Sequence, residues 1–255
     1  CDINKDYVDS INSKVFSSDE QNVNKYLKEN KNFTATTDLN DTINFSDAIF
    51  VVVATPSLDN GKYDHKQVDS LVKNLKSLGV QKNRKDLVIC CTTMPGYCDE
   101  VQAELLDYNF KVSYNPEFIA QGTILKNQSN PDMVLIGQAD KDAGDLLQEI
   151  YERHTINSPR ICRMRRKEAE ICKISLNCFL TTKIAFANMI GDIATYSSCD
   201  PDVILKAIGS DSRVGNKYLG FGYGYGGPCF PRDNRALAIY AEEVGINALV
   251  SKASD

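Results

Sequence analysis

Short apolar runs alternate with longer stretches of helical period along most of the chain. Ala48-Ile49-Phe50-Val51-Val52-Val53-Ala54 is apolar throughout and mostly β-branched or aromatic. That is the pattern of a parallel strand buried on both faces. Leu87–Cys91, Phe110–Ser113, Asp132–Gly137 and Arg160–Cys162 repeat it, and Phe33–Thr36 reads as a further short strand. Helical periods near 64–78 and 141–153, with others between, separate these runs. The alternation predicts a right-handed parallel α/β sheet. Cys1-Asp2-Ile3-Asn4 reads as the tail of another strand, which makes the sheet incomplete.

From Arg166 the rhythm changes to one helical pattern reaching about Ser198, too long for a crossover helix. Ile171, Ile174, Phe179, Ile184, Phe186 and Ile190 are expected to supply its apolar side. Asp200-Pro201 opens a further helix. The expected division is an α/β domain over 1–165 and an all-helical domain over 166–255, whose long helix offers a dimer seam.

Composition narrows the class. The chain has 255 residues, 42% hydrophobic and 25% charged, enough for one or two cores. A net charge of −5 and the lack of basic blocks disfavour nucleic acid, and no apolar run approaches a membrane span. Nine cysteines without CxxC spacing, beside two histidines, argue against a zinc site or a disulfide framework. They point to a reducing, cytoplasmic setting.

The stretch Gly220 to Asp233 carries the most chemistry. Its glycines permit backbone angles closed to other residues and let a ligand lie against the main chain. It delivers Cys229 just before Pro231, a residue suited to a first helical turn. A thiol there feels the positive end of the helix dipole, which favours its reactive form. Asp233 follows in the same new helix. Lys173 and Asn177 lie four apart and share a helix face, although a helical lysine is by default a solvated one. Gly222, Gly224 and Gly227 satisfy GxGxxG but lie between helical segments, so that match is accidental. Thr55-Pro56, Thr92-Thr93 and Pro116-Glu117 end strands at the carboxyl edge, where such sheets bind ligands. Asp2 is either an acid placed for ribose hydroxyls or a cap for the polar helix after it.

Taken together, Cys1-Asp2-Ile3, Val53-Ala54-Thr55-Pro56, Thr92 to Gly96, Asn115-Pro116-Glu117-Phe118, Asn130 to Gly137, Glu170 to Asn177, Asp211 to Gly215 and Gly224 to Asp233 resemble the UDP-glucose/GDP-mannose dehydrogenases. The resemblance runs in order along the whole chain and implies further chain on both sides of it. It implies an incomplete Rossmann-like NAD domain followed by a helical central domain. The activity implied is double oxidation of a nucleotide-sugar alcohol to the uronic acid, with NAD as cofactor and a homodimer or higher homo-oligomer. Cys229 would be the nucleophile, Lys173 would stabilise the oxyanion, and Asn177 would hold a hydroxyl or water. Asp233 would be a base or a water orienter, and Glu117 would assist hydrolysis. Asp2, Thr55, Thr92, Gln121 and Arg232 would line the cofactor site. Phe118, Tyr218, Gly222, Tyr223, Gly224 and Gly226 would lie on the substrate with Lys173 and Asn177. Arg213 would reach the substrate of a neighbouring subunit.

Three positions depart from the family pattern. Gln121 stands where an acid is usual, Arg232 where lysine is usual, and Met189 where glutamate follows the asparagine. The motifs Asp211 to Gly215 and Gly226 to Pro231 look most like the UDP-glucose subgroup. GDP-mannose or UDP-N-acetylhexosamine oxidation, a hydroxyacid-type dehydrogenase, and a non-catalytic dimerising scaffold remain as alternatives.

Overall fold

The computed structural model describes residues 1–255. They form two compact units, one comprising Cys1–Ala54, His65–Cys91 and Gly96–Ala169, the other Thr55–Asp64, Thr92–Pro95 and Glu170–Asp255.

The first unit is built on a five-stranded sheet in the order β1 (Ala48–Val51), β2 (Lys85–Ile89), β3 (Phe110–Tyr114), β4 (Met133–Gln138) and β5 (Arg160–Arg165). β1, β2 and β3 run parallel, as do β4 and β5. β3 and β4 meet antiparallel through Tyr114 and Gly137. The sheet is therefore mostly parallel rather than wholly so, because apolar runs carry no sign of strand direction. Leu87, Ile89, Val112, Leu135 and Ile136 are fully buried, as strands covered on both faces require. β1 is shorter than its apolar run and alternates: Ile49 and Val51 are buried, whereas Phe50 is 42% exposed. As the first strand in the sheet order it pairs with β2 alone.

Helices α1 (Lys5–Asn12), α2 (Val23–Glu29) and α3 (Leu39–Phe45) precede the sheet; α4 (Lys66–Ser77), α5 (Tyr97–Leu105), α6 (Ile124–Ser129) and α7 (Lys141–His154) connect its strands. α4 buries Val68, Val72 and Leu75, one face at helical spacing. Phe33–Thr36 is not a strand. It is held by the Asp2 N–H on the Thr36 carbonyl (3.0 Å) and by Asn12, which pairs with both polar backbone groups of Ala35 at 2.8 Å. Cys1–Asn4 likewise forms no strand. Nor is Asp2 the cap of α1: its carboxylate accepts the Asn4 N–H, and Asn4 caps the helix through the Tyr7 N–H.

Asp140 caps α7 through the Ala143 N–H and takes a two-pronged contact from Arg84, which also grips Asp86. Partial burial works against the Asp140 anion, but the Arg84 hydrogen bonds and charge outweigh it and lower its pKa. A lowered carboxyl adds stability that is full above the unfolded value, roughly 4, and is lost as pH falls through the folded value. Arg84→Met is expected to lower unfolding free energy at neutral pH by about 1 kcal/mol, a figure already reduced for solvent screening. In urea melts the difference from wild type should shrink as the pH falls below that of free carboxylates.

The second unit is helical. α8 (Arg166–Tyr196) enters it at Glu170, and α9 (Pro201–Ser210), α10 (Phe230–Glu243) and α11 (Leu249–Ser254) follow. Ile174, Cys178, Thr181, Ile184 and Ala187 form the buried face of α8. Phe179 and Phe186, expected on that side, are exposed instead. They lie seven apart with Ile193, on a second apolar stripe that an all-round apolar composition conceals. Ile174 packs with Tyr63 and Ala236 in a small core flanked by Met94 and Leu237.

Candidate active site

Cys229 occupies the N-cap position of α10, with Pro231 in the first turn, and is exposed. One turn on, Asp233 is 0% exposed and is the hub of the unit's polar interior. Its Oδ1 accepts the Tyr63 hydroxyl at 2.7 Å and Arg232 Nε at 3.0 Å, and its Oδ2 accepts Asn177 Nδ2 at 2.6 Å. Asn177 comes from α8, one turn after Lys173, which is only 8% exposed and so is no solvated surface lysine. The Arg232 guanidinium lies over the Tyr63 ring at 4.8 Å and donates to the Thr55 carbonyl at 3.2 Å. Thr55 Oγ1 donates in turn to the Thr92 carbonyl at 2.8 Å, and Thr93 donates to the buried Glu170.

Tyr63 escaped the sequence reading. It sits in a polar connection rich in turn residues, and its partner lies far along the chain; only the lone aromatic residue in that loop marks it. Burial first, and the Asp233 charge second, push its ionisation far up, which keeps it a donor. Burial opposes the Arg232 charge, but the neighbouring Asp233 outweighs it and raises that pKa. Cys178, also near Asp233, is buried, and its thiol is pushed up to about 12 by burial and then by that carboxylate. It is a poor nucleophile where the exposed Cys229 is accessible. Tyr63→Phe keeps the ring under Arg232 and removes one charged hydrogen bond. It should cost about 2 kcal/mol of stability, read as a lower urea midpoint at unchanged slope.

The loop before Cys229 is open. Gly222 has φ +84° and, like Gly224 and Gly226, has nothing within 4 Å of where a side chain would begin. Tyr223 is exposed, and Tyr218 and Tyr225 contact Phe230 edge-on. Asn234 beside Asp233 is fixed by Thr181 at 3.1 Å and Tyr225 at 3.1 Å. Arg213 is exposed and paired only with its own turn's Asp211 at 2.7 Å.

The remaining expected site residues lie in the first unit. Glu117 accepts Gln128 Nε2 at 2.9 Å and is half-buried with Phe118, while Gln121 and Asp2 are exposed. β1, β2 and β3, being parallel, end at one sheet edge, from which the Ala54-Thr55, Cys91-Thr92 and Asn115-Glu117 connections leave. Such an edge fits a dinucleotide.

Residues 1–155 match the model described as UDP-glucose/GDP-mannose dehydrogenase family, NAD binding domain, and residues 167–255 match that family's central domain. The chain belongs to this family. Within the family, a UDP-glucose 6-dehydrogenase of Pseudomonas aeruginosa is 32% identical over 217 residues, 82% of this chain and 47% of that protein. A GDP-mannose 6-dehydrogenase of the same organism is 29% identical over 259 residues, 96% and 59% of the two chains. The solved UDP-glucose dehydrogenase of the archaeon Pyrobaculum islandicum superposes with a TM-score of 0.88 at 28% identity, covering 99% of this chain and 60% of that one. The chain thus spans about half the length of the curated relatives it matches.

Proposed function

We propose that the protein carrying this chain is an NAD-dependent nucleotide-sugar dehydrogenase that converts UDP-glucose to UDP-glucuronate. The observation that supports this most is an exposed Cys229 at a helix start, one turn from a buried Asp233 that grips Asn177. NAD, when bound, takes up two electrons at each of the two oxidations. After the first, the sugar carbon is an aldehyde; Cys229 Sγ adds to it, forming a C–S bond and leaving the oxygen as a hemithioacetal hydroxyl. After the second, the carbon is a thioester; water attacks it, the C–S bond breaks, and the acid leaves as Sγ regains its proton. Lys173 and Asn177 hold the carbonyl oxygen as it gains charge. Asp233, with three donors already on it, orients Asn177 rather than taking a proton. Glu117 assists the water, Thr55, Thr92, Gln121, Arg232 and Asp2 serve the cofactor, and Phe118, Tyr218, Tyr223 and the loop glycines serve the sugar. Covalent capture keeps a reactive aldehyde from escaping between steps.

The proposed assembly is a homodimer or larger, with Arg213 serving a neighbouring subunit. Phe179, Phe186, Met189, Ile193 and Tyr196 support it as an exposed apolar stripe along α8. The proposed setting is cytoplasmic; no helix is long and apolar enough to cross a membrane. The comparable likeness to a GDP-mannose 6-dehydrogenase makes that sugar the second reading. Presenting the whole protein with UDP-glucose, GDP-mannose and UDP-N-acetylglucosamine in turn decides between them. Fastest NADH formation with UDP-glucose is expected, and preference for another sugar overturns that assignment.

A further inference from the structure

We propose that Asn188 and Gly191, on one face of α8, are positioning residues that set the place of the glycine loop and hence the grip on the sugar. This rests on the nucleotide-sugar reading above. Asn188 Nδ2 donates to the Tyr223 carbonyl at 2.8 Å, and its Oδ1 accepts the Gly222 N–H at 3.0 Å. One side-chain amide thus pairs with the loop as a neighbouring strand would, through one N–H and its carbonyl oxygen, on adjacent residues. It does so where Gly222 takes a positive φ. Three residues on, Gly191 lets the Phe221 ring lie directly on the helix backbone: a Cβ there would come within 1.8 Å of the ring. An overlap that deep forces the ring to move.

Lys183, on the same helix, donates to the Val214 and Gly215 carbonyls at 3.0 and 3.3 Å and so holds the Arg213 turn. α8 therefore carries Lys173 and Asn177 near its beginning and the loop anchors further along. Asn177 and Asn188 are separated by about 16 Å of continuous helix. That rigid length fixes where the loop stands relative to the polar cluster of Asp233. Loosening either anchor should weaken sugar binding while leaving Cys229, Lys173 and Asn177 able to react.

The test uses the whole protein with Asn188→Leu, the milder Asn188→Asp, Gly191→Ala, and Gly191→Ala combined with Phe221→Ala. Hydrogen exchange at 220–227 and steady-state kinetics with UDP-glucose and NAD are measured on each. Asn188→Leu, which loses both hydrogen bonds, and Gly191→Ala, which displaces the Phe221 ring, are expected to speed loop exchange and raise KM for the sugar about tenfold. The kcat should stay within about threefold and KM for NAD should not move. Asn188→Asp, which keeps one of the two bonds, should fall between. Adding Phe221→Ala relieves the clash but removes the same contact, so the double variant should be no worse than Gly191→Ala alone. Unchanged loop exchange in the Asn188 variants overturns the anchoring, and faster exchange with unchanged sugar KM overturns its link to binding. A wild-type protein that oxidises no nucleotide sugar defeats the functional reading instead, while the exchange data still decide the anchoring.

Discussion

Cys229→Ala should abolish formation of the uronic acid, by roughly 10⁴-fold or more, without destabilising the fold. The two halves of that expectation have separate grounds. Cys229 is exposed and its side chain caps nothing, so its removal should change unfolding free energy by no more than about 0.5 kcal/mol. Chemically it is the only atom in the scheme that can hold the sugar carbon between oxidations. Acid yield measured by chromatography, beside a urea melt of the same protein, checks both. A variant that still makes acid at an appreciable rate would show that the second oxidation proceeds through a hydrated aldehyde and needs no thiol. Cys178→Ala is the matching control, since that buried thiol has no part in the chemistry; its cost should fall on stability.

Asp233→Ala should show the opposite balance, with stability and activity lost together. The carboxylate is wholly buried and receives Tyr63, Asn177 and Arg232. Its removal leaves the buried Tyr63 hydroxyl and the half-buried Asn177 amide without this acceptor and the half-buried Arg232 without its counter-charge, an effect of about 3–5 kcal/mol. That is a large part of the 5–15 kcal/mol typical of a folded domain. Asp233→Asn keeps the volume but turns an amide N–H toward one of three donors, so about 2–3 kcal/mol is expected. Urea midpoints give the ordering wild type, Asp233→Asn, Asp233→Ala. Equal midpoints for all three would mean that the cluster contributes nothing net and that Asp233 is not what holds Asn177.

The sheet was legible where burial dominates. β2, β3 and β4 are apolar runs because both their faces are covered, and the runs mark them closely. Direction was not legible: the antiparallel step between β3 and β4 depends on how the chain returns after α6, which no residue pattern encodes. Phe33–Thr36 carries strand-like residues, yet no strand ladder forms there, so propensity alone misleads. α8 was visible as a helix, but its two apolar stripes could not be separated until its neighbours were placed. Lys173 with Asn177, and Cys229 with Asp233, were visible as pairs through helical spacing. That Asn177 should meet Asp233 across two helices, beneath a tyrosine from a distant loop, is a property of tertiary packing. Tyr63, and the contact of Asn188 with the glycine loop, were missed for one reason. Each acts through a partner remote in sequence, and neither sits in a stretch whose composition marks it out.

The most direct measurement is the number of NADH molecules formed per UDP-glucose consumed by the whole protein, with Cys229→Ala run in parallel. Two NADH per sugar for wild type, with acid as the product and none from the variant, is the expected result. One NADH per sugar, with aldehyde as the product, would contradict covalent capture by Cys229.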